Sequence, residues 1–271
     1  MGTCPGNEME SALPLQELNT ATGRVEAKVL ASWLESTASW QSEDPSHLLG
    51  RSLLDRGVER LLVDLPTCND SLSVKLRALD FYPFRFFASS GIYRFGFAAK
   101  EAVRKRRVPR SERLDFSPFE PEDQGVMGRM LGHPEVMRFY PQVYPPAEWD
   151  GWISKQCQRY RTYGYGFWLL RNRQDGAPLG QAGLLPLMEA GYEWPALGYI
   201  LCRSAWGQGF ATEAARACCH WGRDVLGLDR VLCLIRPVNR PSLQVAHRLG
   251  FRVRDTVSYA GFEHLLMDWK A

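Results

Sequence analysis

Residues Tyr199–Ala214, YILCRSAWGQGFATEA, decide the fold of this chain. An apolar segment runs into a short loop that contains Gly207 and Gly209, and a strongly patterned helix follows from Ala211 to Leu226. Glycines carry no Cβ atom, so the backbone can turn sharply and approach a ligand closely. The first amides of a helix, together with the helix dipole, favour a phosphate group. The segment predicts a strand, a phosphate-binding turn and a helix, although a plain glycine turn fits the spacing as well.

Two common nucleotide-binding turns do not fit this loop. The P-loop pattern GxxxxGK[ST] and the dinucleotide fingerprint GxGxxG are both missing from it. A nucleotide cofactor that is held by a different phosphate turn therefore remains as the functional interpretation of the glycines.

Hydrophobic periodicity places this segment inside a longer α/β pattern. The predicted strands are Arg113–Phe119, Phe167–Arg171, Pro178–Pro186, Ala196–Cys202, Val231–Ile235, Phe251–Val257 and His264–Trp269. The predicted helices are Pro121–Leu131, Pro134–Tyr140, Pro145–Tyr163, Ala211–Leu226 and Ser242–Leu249. This order predicts a mixed α/β domain with a central sheet.

The composition is that of an ordinary globular protein and excludes several function classes. The chain has 271 residues, of which 45% are hydrophobic and 23% charged, so it can bury a full core. A net charge of +3 gives no basic stripe for nucleic acid. The 7 cysteines form no CxxC pair, so no metal site is expected. The sequence shows no signal peptide and no apolar run of about 20 residues, and we expect a cytoplasmic protein without a membrane partner.

The N-terminal part of the chain repeats a pattern of the C-terminal part. Gly57–Phe81 aligns without a gap with Gly227–Phe251, each residue lying 170 positions before its counterpart. The identical residues of the first copy are Gly57, Arg60, Leu62, Asn69, Leu79 and Phe81. The match indicates either a degenerate half-repeat or a chance alignment of two αβ segments. Alternating aromatic residues between Phe84 and Phe97 predict a β-hairpin.

The loop resembles the pyrophosphate-binding motif Q/R-x-x-G-x-G/A of the GNAT acetyltransferases. Trp206 stands at the Q/R position, which is a departure, while Gly209 and Ala211 match the two small residues. Further strings resemble the branch that acetylates N-terminal amines of ribosomal proteins, in the same order along Ser111–Ala271. They are SERLDFSPFEPEDQGVM, HPEVMRFYP, YGYGFWLL, PLGQAGLLPL and PVNRPSLQVAHRLGF.

The resemblance implies the GNAT fold, acetyl-CoA as cosubstrate and an amine as acceptor. The backbone of Tyr199, Ile200 and Leu201 would pair with the pantetheine amides like an added strand. Asn239 would contact the cofactor arm, and Ser242 would lie near the thioester sulfur. The amides that would bind the pyrophosphate are those of Gly207, Gln208, Gly209, Phe210, Ala211 and Thr212.

The catalytic groups implied by the resemblance are less complete. Ser242 would protonate the leaving thiolate, cap the following helix, or do both. Relatives often carry a Glu where this chain has Ala196, so the base is sought in Glu193, Tyr259 or His264. Cys202 is not required as a nucleophile, and we expect it in the core.

The predicted domains are a flexible arm at 1–20, a degenerate GNAT-like half domain at 21–108 and a catalytic domain at 109–271. The basic run Lys100–Arg110 indicates the boundary. The phosphate turn of the first half would fall at Ser36–Gln41, which contains no glycine, so this half should not bind acetyl-CoA. An acetyltransferase is the leading hypothesis; a non-catalytic acyl-CoA sensor and an unrelated α/β scaffold are the alternatives. A homodimer is compatible with all three.

Overall fold

The computed structural model describes residues 25, 49, 53, 58, 60–65, 71–79, 81–87, 92–98, 108–187 and 191–271. The chain divides into two compact units, one extending to Arg107 and the other from Val108 to Ala271 without Val225–Gly227. The predictions for residues 1–20 and for Ser36–Gln41 lie outside the described residues. No helix in the described segments combines the length and apolar composition that a bilayer span requires.

The described residues of the first unit include a small antiparallel sheet and the helix that connects two of its strands. Its elements are β1 (Arg60–Leu65), α1 (Ser71–Ala78), β2 (Tyr82–Phe87) and β3 (Ile92–Ala98). The strand order is β1-β3-β2, and both pairs are antiparallel. The hairpin predicted from the alternating aromatic residues is therefore confirmed as β2 and β3.

The second unit is built on a seven-stranded sheet in the order β4-β5-β6-β7-β8-β10-β9. Its strands are β4 (Leu114–Ser117), β5 (Phe167–Asn172), β6 (Pro178–Leu185), β7 (Ala196–Leu201), β8 (Arg230–Ile235), β9 (Arg252–Tyr259) and β10 (Phe262–Lys270). All neighbours are antiparallel except β7 and β8, which run parallel. The predicted mixed α/β architecture is confirmed.

Five α-helices accompany this sheet in the described residues. They are α2 (Gln124–Met130), α3 (Pro134–Met137), α4 (Trp149–Tyr163), α5 (Phe210–Trp221) and α6 (Arg240–Arg248). The helix predicted for Ala211–Leu226 is shorter than expected, because the Gly222 amide bonds to two carbonyls and a π-helical turn, Gly222–Leu226, follows. The helix predicted from Ser242 begins earlier, at Arg240, because Asn239 caps it.

Alternating side chains of β5 show how the two faces of the sheet are covered. Phe167 packs into a core cluster with Met127 and Ile153, which come from α2 and α4. Trp168 points to the other face, where its ring lies 5.0 Å from that of Trp221 at the end of α5. Successive residues of a strand face opposite sides, so one short strand contributes to both cores. The sheet is thus covered by helices on both faces.

The sheet opens between its two parallel strands. The pairing of β7 with β8 is confined to Ala196 and Leu232 within the described residues. The opposite edge of β7 is paired with β6 along its whole length, from Leu185 with Ala196 to Gly180 with Leu201. The second half of β7 therefore presents main-chain groups to a gap beside β8.

The two units share a β-α-β-β arrangement in the register of the internal sequence match. The elements β1, α1, β2 and β3 follow the same order as β8, α6, β9 and β10, with the same strand neighbours. The helix-to-strand corner is closed by the same bond in both: Phe81 donates to the Leu76 carbonyl at 2.9 Å, and Phe251 to the Ala246 carbonyl at 3.0 Å. These residues are 170 positions apart, as in the alignment.

Candidate active site

The loop after β7 has the strand-turn-helix geometry that its glycines predict. Gly207 and Gly209 adopt positive φ values of 75° and 82°, a region that side chains with a Cβ disfavour. The Glu213 amide donates the first helical bond of α5, to the Gly209 carbonyl at 3.1 Å. The amides of Phe210, Ala211 and Thr212 precede that bond, so they have no intrahelical acceptor. The loop therefore offers main-chain donors at a helix N-terminus.

A cavity of about 510 Å³ lies in front of this loop. Arg138 and Arg248 line it, and no carboxylate does so within the described residues. Of the residues predicted for the cofactor, it is lined by Tyr199, Ile200, Leu201, Gly207, Gly209, Phe210, Ala211, Thr212, Asn239 and Ser242. Gln208 does not line it; its carbonyl accepts a hydrogen bond from Arg113 at 3.1 Å. The cavity combines helix amides with two cations, which suits a polyphosphate.

The ion pair between Arg113 and Glu213, which sequence reasoning missed, holds the loop after β7 in place. The Glu213 carboxylate accepts hydrogen bonds from the Ser111 hydroxyl, the Arg113 amide and the Arg113 guanidinium, each at 2.7 Å. The same guanidinium lies 4.5 Å from the centroid of the Phe210 ring. Partial burial raises the pKa of Glu213, but these hydrogen bonds outweigh it and hold the pKa below its usual value. No sequence signal marks this pair, because its members are 100 residues apart.

Trp206, which stands where the family motif has Gln or Arg, fastens the loop to the preceding strand. Its indole N–H donates to the Leu201 carbonyl at 3.0 Å. The Arg203 guanidinium lies 4.9 Å from the centroid of the indole and pairs with Glu135 at 2.9 Å. The tryptophan therefore serves a structural purpose that its aromatic face and single donor can fulfil.

A second cavity, of about 750 Å³, adjoins the first. Tyr140, Tyr199, Asn239 and Ser242 line both cavities and mark their junction. Aromatic side chains form one wall of the second cavity. The rings of Trp152 and Phe167 are stacked at 6.2 Å, and Tyr144 meets Trp152 edge to face at 5.4 Å. Two binding spaces therefore meet at one cluster of polar groups.

The start of α6 corrects one interpretation of Ser242. The side chain of Asn239 caps the helix by accepting a hydrogen bond from the Ser242 amide at 3.2 Å. Ser242 is thus the third residue of the helix rather than its cap, because the cap needs a residue with non-helical backbone before the first turn. Its hydroxyl is not needed for capping and lines both cavities.

Tyr199 contributes a hydroxyl that the sequence analysis did not use. This hydroxyl is buried without a completed hydrogen bond in the described residues. Burial raises the pKa of Tyr199 to about 12, although the neighbouring Ser242 hydroxyl lowers it. A tyrosine in this state keeps its proton at neutral pH and can act as a donor at the junction.

Of the three residues considered as the general base, two line the second cavity and one lines neither cavity. Tyr259 and His264 line the second cavity, and their rings meet edge to face at 5.7 Å. Glu193 is half-buried in the turn before β7 and lines neither cavity. The structure therefore does not bring Glu193 to Ser242. Ala196 does line the second cavity, so the place where relatives carry Glu holds no titratable group.

The buried cysteines behave as core residues. Cys202 is 2% exposed, and burial raises its pKa, while Cys218 and Cys219 are buried on α5. A thiol with a raised pKa is a poor nucleophile at neutral pH. The expectation that Cys202 packs in the core is confirmed.

The chain is similar to known acetyltransferases. The sequence profile of the acetyltransferase (GNAT) domain matches residues 113–252. An uncharacterized protein of Bacillus subtilis (strain 168), YkkB, is 28% identical over 148 residues, which are 54% of this chain and 86% of that protein.

Two solved structures share the fold. An acetyltransferase from Agrobacterium tumefaciens str. C58 superposes with a TM-score of 0.50 at 25% identity, over 60% of this chain and 93% of that one. The ribosomal-protein-S5-alanine acetyltransferase from Vibrio fischeri superposes with a TM-score of 0.50 at 14% identity, over 59% of this chain and 94% of that one.

Proposed function

Because the chain belongs to the GNAT family and is an N-acetyltransferase that uses acetyl-CoA, we propose that it transfers the acetyl group directly to a primary amine in a ternary complex. The amine belongs to a small molecule or to a protein N-terminus. The observation that carries this proposal is the junction of two cavities at Tyr199, Asn239 and Ser242. One cavity suits a nucleotide thioester, and the other has room for an acceptor.

The first cavity fits the pyrophosphate and the pantetheine of acetyl-CoA. A Cβ added at Gly207 would meet nothing within 4 Å, so the main chain there is open to a ligand. The amides at the start of α5 would bind the pyrophosphate, with positive charge from Arg138 and Arg248. The free edge of β7 would hydrogen-bond the pantetheine amides, because β8 has diverged from it.

At the junction, the acceptor nitrogen forms a bond to the acetyl carbon while the carbon–sulfur bond breaks. Main-chain N–H groups on the open edge of β7 would stabilise the charge that develops on the carbonyl oxygen. Ser242 would donate a proton to the leaving thiolate, and the Tyr199 hydroxyl beside it would support or replace this donation. Direct attack requires no covalent enzyme intermediate, which agrees with the core position of Cys202.

The acceptor amine must lose a proton before it attacks. We assign this role to Tyr259 or His264, acting directly or through water, because both line the acceptor cavity. Glu193 is not retained as the base, since it lines neither cavity. The pH profiles of kcat for Tyr259→Phe and His264→Gln would distinguish the two groups. Unchanged profiles in both variants would assign proton removal to solvent.

The test of the function is release of free CoA thiol from acetyl-CoA when a panel of amines is added. We expect release with at least one amine and a rise of the melting temperature with acetyl-CoA alone, because binding to the native state stabilises it. A melting shift without release by any amine would favour the acyl-CoA sensor. Absence of both effects would favour an unrelated scaffold.

We further propose that residues 109–271 carry catalysis and that residues 21–108 are a degenerate half domain which does not bind acetyl-CoA. The shared β-α-β-β arrangement supports a common origin of the two parts. The glycine-free segment Ser36–Gln41 is the basis for expecting no second cofactor. Calorimetric titration of the full chain should give one acetyl-CoA per chain, and two would contradict the proposal.

A further inference from the structure

The second cavity, in which we place the acceptor and which is called the acceptor cavity here, is lined by more positive than negative side chains. The basic side chains are those of Lys155, Arg159 and Arg236. Glu148 is the one carboxylate among its described lining residues. Cations that line a cavity raise the local potential and favour anionic ligands over cationic ones. The sign of the charge therefore carries information about the acceptor.

The charges are segregated along α4. Trp152, Lys155 and Arg159 line the cavity, and their spacing of three and four residues places them on one helix face. Glu148 precedes the helix and accepts a hydrogen bond from Gln142 at 3.3 Å. Seven residues separate Glu148 from Lys155, and no ion pair joins their side chains within the described residues. A single carboxylate can offset at most one of the three cations, so the end of the cavity at Lys155 and Arg236, called the basic end below, keeps a positive charge.

Arg236 is held in place by neutral groups. One guanidinium nitrogen donates to the Phe139 carbonyl at 3.2 Å, and the guanidinium lies 3.9 Å from the centroid of the Phe262 ring. Within the described residues it has no ion pair with a carboxylate. A guanidinium has five N–H donors, so donors remain for a ligand. Arg236 is thus a positioned cation rather than half of an internal ion pair.

The rest of the cavity suits a small ligand with an apolar body. The stacked rings of Trp152 and Phe167, with Tyr144 against them, offer an aromatic wall. A volume of about 750 Å³ lies within the usual range for small-molecule sites. An apolar wall combined with a few placed cations fits a small ligand that has an apolar body and an anionic group.

We propose that the acceptor is a small amine that also carries an anionic group, a carboxylate or a phosphate ester, bound by Lys155 and Arg236. This inference rests on the proposed function, since it names the acceptor class of the same site. The anionic group orients the molecule so that its amine faces the junction at Ser242. Polycationic amines are disfavoured, because like charges repel them from the basic end of the cavity.

The experiment compares matched acceptors by thiol release. The carboxylate arm is L-phenylalanine against L-phenylalaninamide, the phosphate arm is O-phosphoethanolamine against ethanolamine, and spermidine is the polycation. In at least one arm, the anionic member should have a kcat/KM about tenfold higher, as expected for a hydrogen-bonded charge contact. The arm with the larger ratio identifies the anionic group. Equal rates within both pairs, preference for spermidine, or exclusive use of a peptide amine would overturn the inference.

A matched pair of charge reversals tests the basic end directly. Lys155→Glu should raise KM for the preferred anionic acceptor about tenfold and reduce its preference over the neutral partner. Arg161→Glu, on the same helix but outside both cavities, should change neither the KM nor the acceptor preference by more than about twofold. Equal effects of the two variants would overturn the role of Lys155. Both variants should keep the melting-temperature shift with acetyl-CoA, which shows that they are folded. If wild-type protein released thiol with none of the amines, the proposed function would be overturned as well.

Discussion

The ion pair between Arg113 and Glu213, which holds the loop after β7, leads to a quantitative prediction for Glu213→Gln. The carboxylate accepts three hydrogen bonds at 2.7 Å and its side chain is 18% exposed, whereas the Arg113 side chain is 47% exposed. The amide that replaces it keeps the shape but turns an NH2 group toward at least one donor. Discounting the guanidinium contact for solvent, we expect a loss of about 1–2 kcal/mol.

Thermal unfolding measures this loss. At about 2–4 °C per kcal/mol for a chain of this size, the melting temperature at pH 7 should fall by about 2–8 °C. Affinity for acetyl-CoA should also fall, because Arg113 holds the Gln208 carbonyl in the loop. The control is Asp115→Asn, which breaks the pair with Arg173 in which both side chains are about half exposed, 57% and 51%. Such an exposed pair contributes about 0–1 kcal/mol, so the control should stay close to the wild type.

The pH dependence of the difference in melting temperature between wild type and Glu213→Gln tests whether the carboxylate charge is its cause. The folded-state pKa of Glu213 is lowered from 4.5, so its stabilisation is complete above 4.5 and is lost as the pH falls through the folded pKa. The melting temperatures of wild type and Glu213→Gln should therefore converge in acid. Equal stabilities at pH 7, or a gap that persists at the lowest pH where the chain still folds, would refute the reasoning.

Three further changes separate cofactor binding, chemistry and packing. Gly209→Glu should abolish the melting-temperature shift with acetyl-CoA, because the new side chain would clash with the cofactor and its charge would repel the pyrophosphate. Gly191→Glu is the control, since Gly191 has a similar positive φ but lies outside both cavities, and it should retain the shift. Tyr199→Phe should lower kcat by about tenfold or more without raising KM for acetyl-CoA; an unchanged kcat would remove its hydroxyl from the reaction. Gly183→Ala should prevent folding, because the new Cβ would lie 1.9 Å from the main-chain oxygen of Gly166, directly before β5. Gly125→Ala on α2 meets nothing within 4 Å and should be neutral or stabilising; circular dichroism and soluble yield compare the two variants.

Local sequence chemistry was sufficient to predict the strands and helices and the geometry of the glycine loop after β7. Periodicity located each strand of the large sheet within a few residues, because the alternation of buried side chains is written into neighbouring positions. The positive φ values of Gly207 and Gly209 follow in the same way from residue type. The internal sequence match was also readable, and the same backbone bond closes the corner before Phe81 and Phe251.

Long-range packing decided which side chains meet at the candidate site. Ser111 and Arg113 reach Glu213 across about 100 residues, and Glu193 falls outside both cavities although it is near β7 in sequence. The capping residue of α6 proved to be Asn239, because the backbone turns there rather than at Ser242. Spacing along a chain determines which face of an element a side chain occupies, but the direction of the neighbouring element determines what that face touches. The charge of the second cavity, which comes from α4 and from Arg236 directly after β8, therefore exists only in the folded protein.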